Sequence, residues 1–528
     1  MNQLFPWLGT SGCVAILLCL SIGPLWAQSL PSYRQTFAGG SRYDEIQAVA
    51  SLASGGFIAA GGTYSADEWL PDHHGMADVW VSRYDGTGKV LWQKTFGGSD
   101  EDRARAVAVT EDGDFLIAGF TRSTDGQVTH CHGRADYWVI RLDGRGELLW
   151  QKTFGGSEDD FASSVASTPD GGVLVGGFTN SQDGMVKDFY GQTDGWILKL
   201  DGSGNLVRQL TVGGKGSETL NALTVFPDGS SLLAGSAESK NDSTGNLDFW
   251  VVRLDPEGRL LRQKNLGGNG DDVVTAVAKA ADGSVALAGY TASTNGPFAR
   301  NHGSRDFWVL NLGPEDQVRW QQLLGGRQDD LATAVVSAPG EGFLVSGYTY
   351  SIGGQVLNRQ GRADSWLVHL DASGKLVSCL TLGGVMEDRT NGMALAADGT
   401  LLLAGVTESV SPQTDARLGR GDGLILQLKL NQPTPVPSAE TATSWTAALL
   451  ENPVRNGEVS VAVRGAAGQP FRLRLLNLQG RVISDRQVRP AGEADQFRLS
   501  AGGQPEGVLI LEVIGVNRTQ TLKVLLLH

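Results

Sequence analysis

Apolar and polar positions alternate along most of this chain in short stretches, and one arrangement of stretches returns seven times. Each copy holds four short runs rich in β-branched and aromatic residues, separated by turns of Gly and Asp. In the second copy the runs are Ala104–Thr110, Phe115–Ala118, Tyr137–Leu142 and Leu148–Phe154. Such runs with Gly/Asp turns between them indicate antiparallel hairpins. The pattern therefore predicts an all-β protein built from four-stranded units.

Two glycines set the register of the repeat. The first closes a Gly–Gly pair, and the second follows an apolar run 21 residues later. The first set is Gly40, Gly98, Gly156, Gly214, Gly268, Gly326 and Gly384, and the second is Gly61, Gly119, Gly177, Gly235, Gly289, Gly347 and Gly405. The spacing within the first set is 58 residues, apart from 54 between Gly214 and Gly268. Four strands at this period predict a seven-bladed β-propeller, with a linear β-solenoid as the alternative.

The two ends of the repeat region indicate a closed ring. The seventh copy ends with Leu424–Leu430 and continues into prolines, so that it has no fourth strand of its own. A matching strand, Tyr33–Phe37, stands before the first copy. We predict that this N-terminal strand completes the last blade, because closure leaves no interior edge unpaired.

Four segments follow from the sequence. Residues 1–27 contain no charged side chain and a central apolar run, and they are predicted to be a secretory signal peptide. The propeller is predicted over residues 29–430, a proline-rich linker over 431–443 and a second domain over 444–528. Beyond the signal peptide, no stretch is apolar and long enough to predict a transmembrane span in the mature chain.

The net charge limits the classes of partner, and the cysteine content limits the disulfide bonds that can form. The net charge is −14, and residues 444–528 carry ten basic and seven acidic side chains, so the rest of the chain carries −17. A surface this acidic argues against nucleic acid and against anionic membranes as partners. Outside the signal peptide only Cys131 and Cys379 remain, in different copies, and a disulfide framework is not expected.

The C-terminal segment carries an ordered set of short motifs. These are Asn452-Pro-Val454, Asn477-Leu-Gln-Gly-Arg481, Gly507-Val-Leu-Ile-Leu-Glu-Val513 and Lys523-Val524. In this order they resemble the type A C-terminal sorting domain of the type IX secretion system (the Por secretion system) of Bacteroidota. Two departures are Leu509 or Leu511, where that family usually has an aromatic residue, and the end Leu525–His528, where it has a basic tip.

The resemblance implies a small Ig-like β-sandwich that the type IX secretion machinery recognises after export to the periplasm. It further implies delivery to the medium or to the outer-membrane surface. The repeats, with their core Asp170-Gly-Gly-Val-Leu-Val-Gly-Gly177, are similar to the propeller repeats of secreted bacterial cargo proteins. That family is mostly of undefined function, so it specifies no ligand.

An acidic residue stands four positions after each glycine of the first set. The seven acids are Asp44, Asp102, Asp160, Glu218, Asp272, Asp330 and Asp388. In a propeller they share a face with the longest loop of each copy, and we call this the loop-rich face. One hypothesis is a ring that binds a cation such as calcium, or a polyol, at the channel mouth. The other is structural, with each acid accepting backbone N–H groups, and recurrence in every copy favours it. No cofactor is expected.

A second recurrent acid opens the third strand and is followed two positions later by tryptophan in six copies. The acids are Asp78, Asp136, Asp194, Asp248, Asp306, Asp364 and Asp422, and the tryptophans are Trp80, Trp138, Trp196, Trp250, Trp308 and Trp366, with Leu424 in the last copy. At this spacing both side chains point to one side of the blade. Trp is predicted to pack between blades, with the acid bonding its indole N–H or loop backbone; sugar stacking on exposed rings is the alternative.

The remaining motifs do not define an active site. The His130-Cys-His132 sequence has metal-ligand chemistry, but no second pair recurs to complete a zinc site. No Ser-His-Asp, P-loop or HExxH arrangement is present in the sequence. We therefore expect a non-catalytic binding scaffold with a glycan or protein ligand on the loop-rich face. The alternative is a secreted polysaccharide-active enzyme, a hydrolase or lyase, on the same face; the evenness of the copies favours the scaffold.

Overall fold

The structure is a computed structural model. It describes residues 33–67, 70, 73–238, 245–295, 298, 301–338, 342–356, 359–409, 421–429, 446–455, 457–464, 471–477, 481–488, 494–514 and 519–527. The predicted signal peptide and linker lie outside these residues. The chain divides into two compact units, 1–432 and 433–528, and the division falls within the segment predicted as a linker.

The described part of the first unit consists of β-strands and their connections. Its strands are β1 (Tyr33–Ala38), β2 (Asp44–Ser51), β3 (Phe57–Thr63), β4 (Asp78–Tyr84), β5 (Val90–Phe96), β6 (Asp102–Val109), β7 (Phe115–Thr121), β8 (Asp136–Leu142), β9 (Leu148–Phe154), β10 (Asp160–Ser167), β11 (Val173–Thr179), β12 (Asp194–Leu200), β13 (Leu206–Val212), β14 (Glu218–Val225), β15 (Ser231–Glu238), β16 (Leu247–Leu254), β17 (Leu260–Leu266), β18 (Asp272–Lys279), β19 (Val285–Thr291), β20 (Asp306–Leu312), β21 (Val318–Leu324), β22 (Asp330–Ser337), β23 (Phe343–Thr349), β24 (Asp364–Leu370), β25 (Leu376–Leu382), β26 (Asp388–Leu395), β27 (Thr400–Thr407) and β28 (Asp422–Lys429).

These strands form seven four-stranded antiparallel sheets. Six sheets use four consecutive strands each, from β2–β5 to β22–β25, and the seventh has the order β1-β28-β27-β26. The first strand of each of the six, and β26 in the seventh, contacts its counterpart in the next sheet, and β26 contacts β2. Sheets packed in succession, with the last against the first, have the arrangement of a β-propeller. The all-β prediction is confirmed, as is the pairing of the N-terminal strand with β28.

The second landmark glycine of each copy has a steric cause. In every sheet the first strand bulges by one residue opposite that glycine, as at Arg105 between the pairs Ala104↔Gly119 and Ala106↔Ala118. A Cβ atom at Gly119 would lie 1.9 Å from the carbonyl oxygen of Arg103, and the other six glycines of the set face the same contact at 1.9–2.0 Å. Only glycine fits at these positions.

The strand ends differ slightly from the prediction. The first strand of the second copy begins at Asp102 rather than Ala104, and the second strand continues to Thr121 rather than ending at Ala118. The two extensions pair with each other, Asp102 opposite Thr121. Polar residues that would end an isolated strand are therefore part of the ladder, because their side chains bond across it.

The recurrent tryptophans lie inside the first unit, as predicted. All six are at most 2% exposed, and several contact aromatic rings of the preceding sheet, as Trp308 contacts Phe249 at 4.0 Å between ring centroids. The indole N–H does not bond the aspartate two positions earlier. In four copies it donates to a glutamine 13 residues later in the fourth strand, as Trp308 does to Gln321. Burial of the rings also excludes the sugar-stacking alternative.

The second unit is also all β in its described part. Its strands are β29 (Thr446–Leu449), β30 (Glu458–Arg464), β31 (Phe471–Leu476), β32 (Val482–Val488), β33 (Ala494–Ser500), β34 (Gly507–Ile514) and β35 (Thr519–Leu526). They form one three-stranded sheet, β29-β30-β33, and one four-stranded sheet, β32-β31-β34-β35. Apolar side chains from both sheets share one core, including Val461, Leu473 and Leu511. Across the described residues of both units, no helix is long and apolar enough to cross a membrane.

Candidate functional site

The first set of recurrent acids lies inside the protein. Each opens the innermost strand of its sheet, and each is at most 5% exposed. At Asp330, one carboxylate oxygen accepts the N–H of Gly326 at 2.8 Å and the hydroxyl of Ser351 at 2.8 Å. The other oxygen accepts the hydroxyl of Thr349. The carboxylate thus binds both the link between sheets and the loop that follows the second strand.

This network recurs around the unit. The first-set glycine donates its N–H to the acid in all seven copies, at 2.6–2.8 Å. A serine hydroxyl donates in six copies, from Ser65, Ser123, Ser181, Ser293, Ser351 and Ser409. In the fourth copy the longer Glu218 pairs with Ala237, where the other copies have threonine. Each acid accepts at least one backbone N–H of the protein, as the structural hypothesis expects, and the ring hypothesis would need buried oxygens that are largely already bonded.

The second set of acids is buried next to the first. In five copies the acid accepts the backbone N–H of the residue four positions earlier, at 2.5–2.8 Å. Where that residue is histidine, its ring also contacts the carboxylate, as for His74, His132 and His302. In six copies the two sets meet across the glycine that precedes the first-set glycine. A Cβ at Gly325 would lie 2.5 Å from an oxygen of Asp306 and 2.6 Å from one of Asp330.

Burial of paired carboxylates raises their pKa. The pKa of Asp160, Asp272 and Asp330 is raised to about 6, chiefly by desolvation and to a smaller extent by the neighbouring aspartate of the preceding sheet. The three hydrogen-bond donors at each site act in the opposite direction but do not cancel the burial. A protonated oxygen of Asp330 can donate to Thr349, whose hydroxyl oxygen is already an acceptor for the N–H of Ser351.

These pKa values predict a stability that increases towards mildly acidic pH. Since the folded pKa of about 6 lies above the unfolded value of 3.8, the folded state retains protons that the unfolded chain has lost. The stabilisation is complete below the unfolded pKa and is lost as the pH rises through about 6. We expect the melting temperature of the chain to rise when the pH is lowered from about 7.5 to about 5, measured by calorimetry.

Two variants test the cause. Asp330→Asn mimics the protonated side chain, so its melting temperature should rise less over the same interval. Asp85→Asn is the control, because hydrogen bonds to Thr87 and Lys89 lower the pKa of this exposed turn aspartate, and both of its states titrate below the interval. Its pH dependence should match that of the unchanged chain. A melting temperature that falls from pH 7.5 to pH 5 would contradict the interpretation.

The same end of the sheets carries arginines stacked on aromatic rings. We call this set the arginine–aromatic belt: Arg103, Arg105, Arg122, Arg305 and Arg389 with Tyr43, Tyr64, Phe120, Phe161, Phe178, Tyr290, Tyr348 and Tyr350. Each guanidinium carbon lies 5.1–5.9 Å from the centroid of at least one of these rings. Contacts of this length are cation–π interactions. The belt lies where the links between sheets meet the loops after the second strands, which is the loop-rich face.

A hydrogen-bonded triad of arginine, tyrosine and glutamate occurs at two places in the belt. Arg103 donates to Glu45 at 2.5 Å and to Glu101 at 2.7 Å, and it contacts the hydroxyl of Tyr64. Five sheets further along the chain, Arg389 donates to the hydroxyl of Tyr350 at 2.9 Å and contacts Glu387. The Tyr350 hydroxyl in turn donates to Glu387 at 2.8 Å. Planar polar groups are thus fixed in place beside aromatic rings on a partly exposed surface.

The belt includes an open depression of about 400 Å³. The belt is interrupted at the fourth copy. The depression is lined by Ser304, Arg305, Gln328, Asp329, Leu331, Tyr348 and Tyr350. The positions in the fourth sheet that correspond to Phe161 and Phe178 are Thr219 and Ser236, whose hydroxyls bond each other at 3.0 Å. The loop-rich face is therefore asymmetric although the buried network beneath it repeats.

Sequence reasoning missed the belt, although one signal for it was present. The residue directly after each first-set acid differs in every copy but two: it is Glu45, Arg103, Phe161, Thr219, Val273, Leu331 and Arg389. A position that varies inside an otherwise strict repeat has no structural role that all sheets require. Such positions are where a repeat protein can present a ligand surface.

The histidines and cysteines do not form a metal centre in the described part of the chain, where no group of three or more His, Cys, Asp or Glu side chains is placed to hold a metal ion. Cys131 and Cys379 are both free thiols. Burial and the nearby Asp136 raise the pKa of Cys131 to about 11, so it remains protonated at neutral pH. The turn aspartates, such as Asp143, accept N–H groups of their own hairpin turns, where Gly146 has a φ of 81°.

Comparison with known proteins yields distant likenesses. No family model matches the chain. The Regulatory protein FlaEY of Caulobacter vibrioides is 23% identical over 463 residues, which cover 84% of this chain and 44% of that protein. This chain thus spans less than half the length of that relative.

Among solved structures, the Pan2 WD40 domain of Neurospora crassa is 11% identical with a TM-score of 0.43, covering 75% of this chain and 96% of its own. Sqt1 of Chaetomium thermophilum is 12% identical with a TM-score of 0.39, covering 76% and 100%. A puromycin hydrolase variant is 11% identical with a TM-score of 0.43, covering 80% and 59%. These likenesses do not define a ligand or a reaction for this chain.

Proposed function

We propose that this chain is an exported seven-bladed β-propeller that binds a glycan or protein ligand on its loop-rich face without catalysing a reaction. The observation that carries the proposal is the arginine–aromatic belt. Its side chains occupy the positions that vary between copies, while the acids, serines and tryptophans that hold the sheets together are buried and constant. A ligand surface placed over a repeated scaffold suits recognition better than chemistry.

The proposed route of export rests on the second unit. Two of its four motifs fall on neighbouring strands of one sheet, with Gly507 opening β34 and Lys523 and Val524 in β35. Two sheets around one core suit an Ig-like sandwich that acts as a type IX sorting domain, after a signal peptide at residues 1–27 has directed the chain to the periplasm. The protein would then be secreted or held at the outer-membrane surface.

Export is tested by truncation in a host with a type IX secretion system. A variant that ends after Asn431 should fold, since its contacts lie within the first unit, and should remain in the periplasm. The matched control is a periplasmic reporter enzyme fused to residues 433–528, which should reach the medium or the cell surface. Cell fractionation with immunoblotting distinguishes the locations. Normal secretion of the truncated variant would refute a sorting role for the second unit.

Binding without catalysis is tested with the full mature chain on an array of polysaccharides and surface proteins. We expect retention on at least one ligand, and no release of shortened saccharides when the same ligands are incubated with the chain and analysed by chromatography. Saccharide products would favour the alternative, a polysaccharide-active enzyme whose reaction centre lies in the depression beside Asp329. If the chain bound neither a polysaccharide nor a protein on the array, the proposed function would be refuted.

A further inference from the structure

We propose that the arginine–aromatic belt binds an acidic polysaccharide, with Arg105 and Arg305 each receiving a carboxylate of the glycan. This inference rests on the proposed function and names the class of its ligand. The chain as a whole is acidic, so an anionic ligand must be attracted locally: three arginines of the belt are paired with carboxylates, and the other two, Arg105 and Arg305, are not paired with a described carboxylate.

Arg105 departs from the other bulge residues of the innermost strands. Four of them reach across to a backbone carbonyl of the next sheet at 2.6–3.0 Å: Asn221, Thr275, Thr333 and Asn391. Arg105 does not make this bond, and its guanidinium has neither a hydrogen bond nor an ion pair with another described residue. It lies over Phe120 at 5.5 Å and Phe161 at 5.3 Å.

The surroundings of Arg105 favour an anion. Its side chain is exposed to water, although many protein atoms surround it. Desolvation by the surrounding protein lowers the pKa of Arg105, and the neighbouring guanidinium of Arg103 lowers it further, while the carboxylates of Glu45 and Glu101, which bind Arg103, act in the opposite direction without cancelling these effects. A cation that is partly desolvated and close to a second cation is stabilised by an incoming carboxylate, which it can bind through two parallel N–H donors.

Arg305 repeats this situation in the open depression. Its guanidinium lies 5.3 Å from the centroid of Tyr290 and makes no ion pair with a described carboxylate, although Asp329 lines the same depression. Within the described residues, its side-chain N–H groups therefore remain available. Two free guanidiniums in different parts of one face suit a ligand that is extended and carries repeated negative charges.

The hydrogen-bonded triads of the belt indicate that the anionic ligand is a polysaccharide. The triads at Arg103 and Arg389 hold carboxylate, guanidinium and phenol groups in fixed positions beside aromatic rings. Such groups can donate to and accept from neighbouring hydroxyls of a sugar while the ring packs on its apolar face. An acidic peptide offers carboxylates but no rows of hydroxyls, so it would use only the free arginines.

The test is calorimetric titration of the full mature chain with polygalacturonate, its fully methyl-esterified form and poly-glutamate. We expect polygalacturonate to bind at least tenfold more tightly than the ester, because esterification removes the charge and keeps the hydroxyls. Arg105→Gln and Arg305→Gln should each weaken this binding about tenfold or more. Arg208→Gln, at an exposed arginine of β13 outside the belt, is the control and should bind within twofold of the unchanged chain.

Each result has a definite meaning, provided that melting temperatures show all variants to be folded. Equal binding of polygalacturonate and its ester would overturn the role of the free arginines while leaving a glycan-binding function intact. Tighter binding of poly-glutamate than of polygalacturonate would overturn the glycan in favour of an acidic peptide. Loss of polygalacturonate binding in Arg105→Gln, but not in Arg208→Gln, supports the proposal.

Discussion

Deletion of residues 29–38 should destabilise the whole first unit, by at least about 4 kcal/mol, rather than only its last sheet. The deletion removes β1, which pairs with β28 along its full length, from Tyr33↔Leu428 to Ala38↔Gly423. It also removes the bond from Arg34 to the carbonyl of Thr87, which joins the seventh sheet to the first. An exposed edge of β28 would remain at the point where the ring must be closed.

Thermal unfolding of the mature chain with and without residues 29–38 measures this effect. A deletion of residues 29–32 alone keeps β1 and serves as the control, for which we expect an unchanged melting temperature. If removal of β1 also left the melting temperature unchanged, closure by the N-terminal strand would contribute nothing to stability, and an open array of sheets would describe the unit better.

Gly289→Ala should also cost a large part of the stability, at least about 3 kcal/mol. The added Cβ would lie 1.9 Å from the carbonyl oxygen of Val273 and 2.9 Å from its carbonyl carbon. Both are backbone atoms in the bulged strand β18, so no side chain can move aside to relieve the overlap. The innermost strand would have to shift, and with it its contacts to the strands on either side.

Gly86→Ala is the matched control for this substitution. A Cβ at Gly86 has one neighbour, the backbone nitrogen of Gly56 at 3.8 Å, which is an ordinary contact distance. Chemical denaturation of both variants should show a large loss for Gly289→Ala and less than about 0.5 kcal/mol for Gly86→Ala. Similar losses in both would mean that the glycine is retained for a reason other than the close approach of the bulge.

The repeated part of the structure could be predicted because the same sequence signals recur in all seven copies. Glycine spacing and Gly/Asp turns indicated the four-stranded unit, and the absence of a fourth strand in the last copy indicated β1. The partner of each indole was missed, since the pairing of Trp308 with Gln321 depends on strand register rather than on spacing within one strand. Register is fixed by tertiary packing, which a local pattern does not contain.

The candidate site was harder to predict for a related physical reason. Recurrence drew attention to the acids, but residues that recur in every sheet serve the sheet, and the structure buries them. The side chains that face outward, such as Arg103 beside the buried Asp102, share no pattern between copies. Their proximity is seen only in the folded structure, which brings residues from several sheets to one face.

The pairing of β1 with β28 also imposes an order of events on a chain that emerges from its N-terminus. Residue 33 is made early, yet its partner at residue 428 is made only when the whole repeat region has followed. Until then both strands have an unpaired edge. Contacts of this sequence separation form slowly. The seventh sheet therefore closes only after the repeat region is complete, and β1 keeps an unpaired edge until that point.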